Sequence, residues 1–119
     1  MYDRAYSTFK AKQYRKAHDM FSEYLQKYPQ GQMIPNARFW IGDCLFNQGE
    51  YELAILEYQK VIADFSNHAK APAGLLKQGL AFEKLKDYET SEIVFRKLLN
   101  EYPKSQQATT AEKWLQNRQ

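Results

Sequence analysis

Apolar residues recur at helical spacing through most of the chain. Ala37, Trp40, Ile41, Cys44 and Leu45 follow the i, i+3, i+4, i+7, i+8 order of an amphipathic helix, with polar Gln48 closing the series. Beyond Gly49, the residues Tyr51, Ala54, Ile55, Tyr58, Val61, Ile62 and Phe65 take up the same spacing in a partner helix. Gly49 suits the helix C-terminus between them, because glycine enters the left-handed conformation without steric cost. Tyr28-Pro29 and Tyr102-Pro103 mark further helix ends, since proline cannot continue a helix and restrains the residue before it. The pattern predicts helices over 2–11, 14–28, 33–48, 51–65, 70–85, 88–102 and 106–118.

These helices repeat in pairs at an offset of 37 residues. Tyr14, Tyr51 and Tyr88 lie in register, as do Ala17, Ala54 and Ser91, then Phe21, Tyr58 and Phe95, then Leu25, Ile62 and Leu99, then Tyr28, Phe65 and Tyr102. Ala5, Gly42 and Gly79 form a column of small residues, and Ala37, Gly74 and Ala111 another. Pro35 matches Pro72, Pro29 matches Pro103, and Trp40 matches Trp114. The small columns have a packing reason: helix axes about 8–10 Å apart leave no room for a large side chain at their crossing.

A helix pair with a small residue in its first helix, an aromatic in its second and a proline at its end describes the tetratricopeptide repeat, whose usual period is about 34 residues. The extra residues fall between units, as in Pro29-Gln30-Gly31-Gln32-Met33-Ile34-Pro35. One such unit cannot cover its apolar face alone, whereas a stack can. The expected fold is all-α: a right-handed superhelix forming a single domain over 1–119, with repeats at about 1–31, 32–68 and 69–105 and a capping helix at 106–118. That last segment carries Ala108, Ala111, Trp114 and Leu115 on one stripe.

Composition narrows the function. At 119 residues with 44% hydrophobic side chains the chain can bury a core, which excludes a disordered tail. No apolar run reaches the roughly 18 residues of a membrane helix, so membrane insertion is not expected. Asp3, Arg4, Lys10 and Lys12 break up any secretory leader at the start. Met1-Tyr2-Asp3 opens in helical pattern without a capping residue, which reads as a piece of a longer protein with Met1 added for expression and processing signals lost.

Candidate chemistry is sparse. His18 and His68 stand 50 residues apart, and neither has a second ligand at helical spacing, so neither a metal nor another cofactor is expected. Cys44 shares the stripe of Ile41 and Leu45 and reads as a buried thiol rather than a nucleophile. Phosphate loops, nucleophile elbows and HExxH are missing, and Glu50, Glu52, Glu89 and Glu92 sit where they complement helix dipoles. No enzyme is read here. The net charge of +3 divides as +3, −3, +2 and +1 over the three repeats and the tail. Nucleic acid wants a continuous basic track, and the acidic middle repeat interrupts it.

What remains is the concave face made by the first helix of each pair. By register it presents Tyr2, Tyr6 and Phe9, then Asn36, Phe39, Asp43 and Phe46, then Ala73, Leu76, Leu80 and Glu83, with Lys77 as its nearby cation. An apolar stripe with a few polar groups suits an extended or helical peptide. Asn36 can bond a partner's main chain through its amide, or else cap the helix beside Pro35. With Lys77 the single cation in view, capture of a C-terminal carboxylate is disfavoured.

Pro35-Asn36-Ala37-Arg38-Phe39-Trp40-Ile41-Gly42, after Tyr28-Pro29-Gln30-Gly31, resembles the signature of the YbgF/CpoB family of the Tol-Pal system. Lys70-Ala71-Pro72, Leu75-Leu76-Lys77-Gln78-Gly79 and Glu101-Tyr102-Pro103-Lys104-Ser105 are similar to its later repeats. Phe65-Ser66-Asn67, Ala73-Gly74 and Gln78 depart from that pattern. The resemblance implies the C-terminal repeat domain of a periplasmic adaptor without catalysis. Such a protein binds TolA, coordinates outer-membrane constriction with septal peptidoglycan synthesis, and trimerises through an N-terminal coiled coil that lies outside this chain. It also implies that Asn36 and Phe39 face the groove, while Trp40 packs into the superhelix. Alternative readings are a BamD-like scaffold for outer-membrane assembly, which calls for more repeats and a lipidated cysteine, or a generic peptide- or RNA-binding repeat adaptor.

Overall fold

The helical periods settle into seven helices in the computed structural model, which describes residues 1–118. They are α1 (Tyr2–Lys10), α2 (Tyr14–Lys27), α3 (Ile34–Asn47), α4 (Tyr51–Asp64), α5 (Lys70–Lys84), α6 (Tyr88–Glu101) and α7 (Gln106–Arg118). No strand occurs among the described residues. Each helix packs on the next, and the first helices of successive pairs also touch, α1 on α3, α3 on α5 and α5 on α7. The stack is elongated, 45 × 28 × 20 Å, with the first helices forming one continuous wall.

The turns within the pairs are three copies of one geometry. Lys12, Gly49 and Lys86, in register, adopt left-handed φ values of 64°, 79° and 64°. The next N–H in each reaches back five residues, Gln13 to Thr8 O at 3.2 Å, Glu50 to Leu45 O at 2.8 Å and Asp87 to Phe82 O at 2.9 Å. That is the Schellman closure, which satisfies carbonyls left open at a helix end. Glycine supplies it once; at the other two turns a lysine is held in a conformation costing an L-residue roughly 1–2 kcal/mol. The second helices likewise end alike. Phe65 (φ −132°, ψ 47°) matches Tyr102 (φ −132°, ψ 56°), although Ser66 rather than proline follows it.

The repeat columns become layers. Ala17, Ala54 and Ser91 are fully buried, as are Phe21, Tyr58 and Phe95. The glycines make space for these rings: a Cβ on Gly42 would lie 2.5 Å from Tyr58 Cε1, and one on Gly79 2.5 Å from Phe95 Cε1. Ser91 Oγ satisfies itself in the same crossing by donating to Gly79 O at 2.9 Å. Between pairs, Gln78 donates to Ile55 O at 3.3 Å and to Gln59 Oε1 at 3.1 Å, while Tyr102 Oη donates to Ser66 O at 2.7 Å. Trp114 of α7 covers Phe95 at 4.6 Å between ring centres and donates to Glu83 Oε2 at 2.7 Å.

Position in the stack decides how much of each helix is buried. α3 touches α1, α2, α4 and α5, and its buried residues run from Ile34 to Leu45. α1 touches only α2 and α3 and buries Ala5 alone. In register with Ile41, Cys44 and Leu45 it carries Arg4, Ser7 and Thr8, side chains suited to the solvent they meet.

Candidate functional site

The wall is built from side chains one helical turn apart on α1, α3 and α5, so that each helix contributes a short ridge. On α1, Tyr2 and Tyr6 lie nearly parallel at 6.5 Å, and Tyr6 and Phe9 at 6.4 Å. All three are half-buried. Trp40 of α3 leans onto this ridge, 5.0 Å from both Tyr6 and Phe9, and its Nε1 donates to Tyr2 Oη at 2.9 Å. Burial raises the Tyr2 pKa, partly offset by that hydrogen bond, so the phenol stays neutral. The result is an aromatic surface with one edge in solvent and several polar atoms along it, of the kind that anchors peptides.

Two expected groove residues lie elsewhere. Phe39 is only 5% exposed, its ring 5.2 Å from Trp40 and 5.7 Å from Tyr58. Asp43 is 7% exposed and accepts from Tyr58 Oη, with Lys77 Nζ at 3.8 Å. Both were expected on the open face and belong to the core. The physical reason is twofold: Tyr58 of the partner helix α4 reaches both positions, and Lys70 and Lys77 of α5 cover them from the next pair. Trp40, expected to pack into the superhelix, does so half-buried, wedged between α3 and the ridge of α1.

Phe46 remains half-buried at the far end of α3, edge-on to Tyr51 at 5.2 Å and covered by Lys77 Nζ at 4.2 Å. Ala73, Leu76, Leu80 and Glu83 are half-buried on α5, and Asn36 is half-buried in the first turn of α3. No side chain caps α3, so the capping role considered for Asn36 is not taken up.

Lys70 is the residue that sequence reasoning missed. Its Nζ stands 4.7 Å from the Phe39 ring centre and 4.4 Å from that of Trp40. Lys77 is therefore not the only cation on the wall, and its solitude no longer counts against capture of a C-terminal carboxylate. Desolvation lowers the Lys70 pKa, with Asp43 acting the other way. Around Asp43 burial dominates and raises the carboxyl above its ordinary 3.8, against the pull of Lys77 and the Tyr58 hydroxyl. The neighbouring Cys44 thiol is pushed up to about 12 by burial and by Asp43, which leaves it protonated and inert. Among the described residues, no group of three His, Cys, Asp or Glu side chains is placed to hold a metal, and no helix is long and apolar enough to cross a membrane.

Two family models described as tetratricopeptide repeat match residues 2–69 and 73–105. The chain belongs to the tetratricopeptide-repeat family. As a tetratricopeptide-repeat domain it shares its fold with the Arabidopsis OM64 TPR domain, at a TM-score of 0.78 and 20% identity over 98% of this chain and 92% of that one. It likewise matches the TPR2AB domain of yeast Sti1, solved in complex with pHSP90, at a TM-score of 0.77 and 20% identity, covering 99% of this chain and 48% of the other. A curated relative, the cell division coordinator CpoB of Pseudomonas putida, is 35% identical over 51 residues. That match takes in 43% of this chain and spans 19% of the length of CpoB. The likeness to CpoB carried by the residues thus has a counterpart among whole sequences, over part of the repeat array.

Proposed function

We propose that this repeat domain is a non-catalytic adaptor of the cell envelope, akin to CpoB, that holds a segment of another protein on its first-helix wall. The observation that carries the reading is the aromatic ridge of Tyr2, Tyr6, Phe9 and Trp40, half-buried where a folded monomer gains most by burying such rings completely. The resemblance to the YbgF/CpoB family supports TolA as the partner, the periplasm as the compartment and coordination of constriction with septal peptidoglycan synthesis as the task. Isothermal titration with purified TolA tests it. Binding that is lost in Tyr6→Ser, with the domain still folded by circular dichroism at the temperature of the titration, is the expected result. Absence of binding at tens of micromolar removes TolA from the proposal, and binding indifferent to Tyr6→Ser removes the wall.

A further inference from the structure

The outer side of α4 carries more apolar surface than the repeat needs. Leu53 and Leu56 stand one turn apart there, 49% and 60% exposed. Exposed Ala63 extends their stripe to about 15 Å of helix. The preceding pair shows what stacking requires. In register with these three residues α2 carries Lys16, Asp19 and Gln26, and it packs against its own first helix and the next one in the same way. The fold therefore asks for no apolar side chain at these positions. Lys60, which interrupts the stripe, turns to Glu57 at 3.2 Å. A single exposed leucine is ordinary, whereas two on one turn of a face that no other helix covers make a surface suited to a partner.

We infer that this face docks a basic amphipathic helix of another protein, its aliphatic side chains on Leu53 and Leu56 and its lysines or arginines along the flanks. Charge selects that occupant. The middle pair carries −3 in a chain whose net charge is +3. Among its acids, Asp43 is turned inward to Tyr58, and Glu57 is met by Lys60 and Arg38. Glu50, Glu52 and Asp64 are exposed and, among the described residues, form no ion pair. Glu50 and Glu52 also suit the start of the helix, but Asp64 ends α4, where the dipole favours a cation such as Lys27 at the same place in α2. On α6 the matching Ile93 lies beside Arg96 and Lys97, which confines the acidic border to α4. A second copy of the chain is a poorer occupant. Pairing α4 with α4 sets like charges together, and the outer face of α2 has no aliphatic stripe to offer. The face belongs to a second helix, apart from the first-helix wall, so the inference stands whether or not the wall binds.

Two synthetic peptides of about fifteen residues supply the test. One has leucines at i, i+3, i+4 and i+7 with lysines on the flanks, and the other has glutamates in place of the lysines. Each is titrated by NMR at low salt against the isotope-labelled domain, with Leu56→Ser and the double variant Glu52→Gln/Asp64→Asn alongside. All three of these side chains are exposed, so the variants keep the fold. The lysine peptide should shift the amides of residues 52–64, and the glutamate peptide should not bind. Leu56→Ser should weaken the lysine peptide about tenfold, and the double variant about threefold. No binding of the lysine peptide at millimolar concentration, shifts that spare residues 52–64, equal binding of the two peptides, or an affinity unchanged in Leu56→Ser each overturn the inference. A dimer in sedimentation equilibrium that dissociates in Leu56→Ser overturns it too, because the occupant is then a second copy. The TolA titration with Tyr6→Ser reads the wall separately.

Discussion

Replacing Phe39 by alanine separates a core residue from a ligand contact. The ring is 5% exposed and lies against Trp40, Tyr58 and the Lys70 side chain. Truncating a buried phenylalanine costs about 3–5 kcal/mol, the lost transfer free energy plus the cavity left behind. The void at Phe39 borders Trp40 and Lys70, both half-buried and able to settle into it, so the lower end, about 3 kcal/mol, applies. That is a large share of the roughly 5–15 kcal/mol that holds a domain folded. For a chain of this size it corresponds to a fall in melting temperature of about 10–15 °C. Urea denaturation followed by far-UV circular dichroism reads it as a lower midpoint at unchanged slope. Phe39→Leu, which keeps most of the volume, should lose less than half as much. A Phe39→Ala loss below about 1 kcal/mol, combined with a loss of partner binding, refutes the reasoning and returns the ring to the open face.

Gly79→Ala should destabilise by about 1–2 kcal/mol, although alanine is the better helix former by nearly 1 kcal/mol, because its methyl meets the buried Phe95 ring; an unchanged or raised urea midpoint contradicts this. Lys86→Gly should stabilise by about 1 kcal/mol by relieving the left-handed φ, with a loss in midpoint as the opposing result. Asp43→Asn tests the raised carboxyl pKa. Because the folded state keeps the Asp43 proton to higher pH than the unfolded chain does, its contribution to stability falls as pH rises through the window above 3.8 and stays low beyond it. The stability of Asp43→Asn relative to the parent should therefore rise between about pH 4 and pH 7, and a flat or falling difference rules the shift out.

How far the fold can be read in the residues depends on what kind of interaction sets each feature. The helix pairs and their layers follow from positions such as Ala17, Ala54 and Ser91, whose environment recurs because the sequence does. The ends of the helices were legible for the wrong reason. Gly49 and Pro103 are suitable punctuation, but Lys12 and Lys86 turn as Gly49 does, and Phe65 stops α4 with no proline after it. There the packed pair dictates the conformation and the local residue accommodates it.

The wall was legible as a face and not residue by residue. Periodicity makes Tyr2, Tyr6 and Phe9 neighbours on one face of α1, since intrahelical spacing alone brings them together. It misplaces Phe39 and Asp43, and it passes over Lys70, because Tyr58 of the same pair closes over the first two and Lys70 and Lys77 of the following pair complete the cover. Amino-acid order thus determined the repeating hairpin and its apolar faces through short-range spacing and volume. Which rings and charges stay open to a partner was decided only when α5 folded back across α3, because burial belongs to the assembled stack rather than to any one helix.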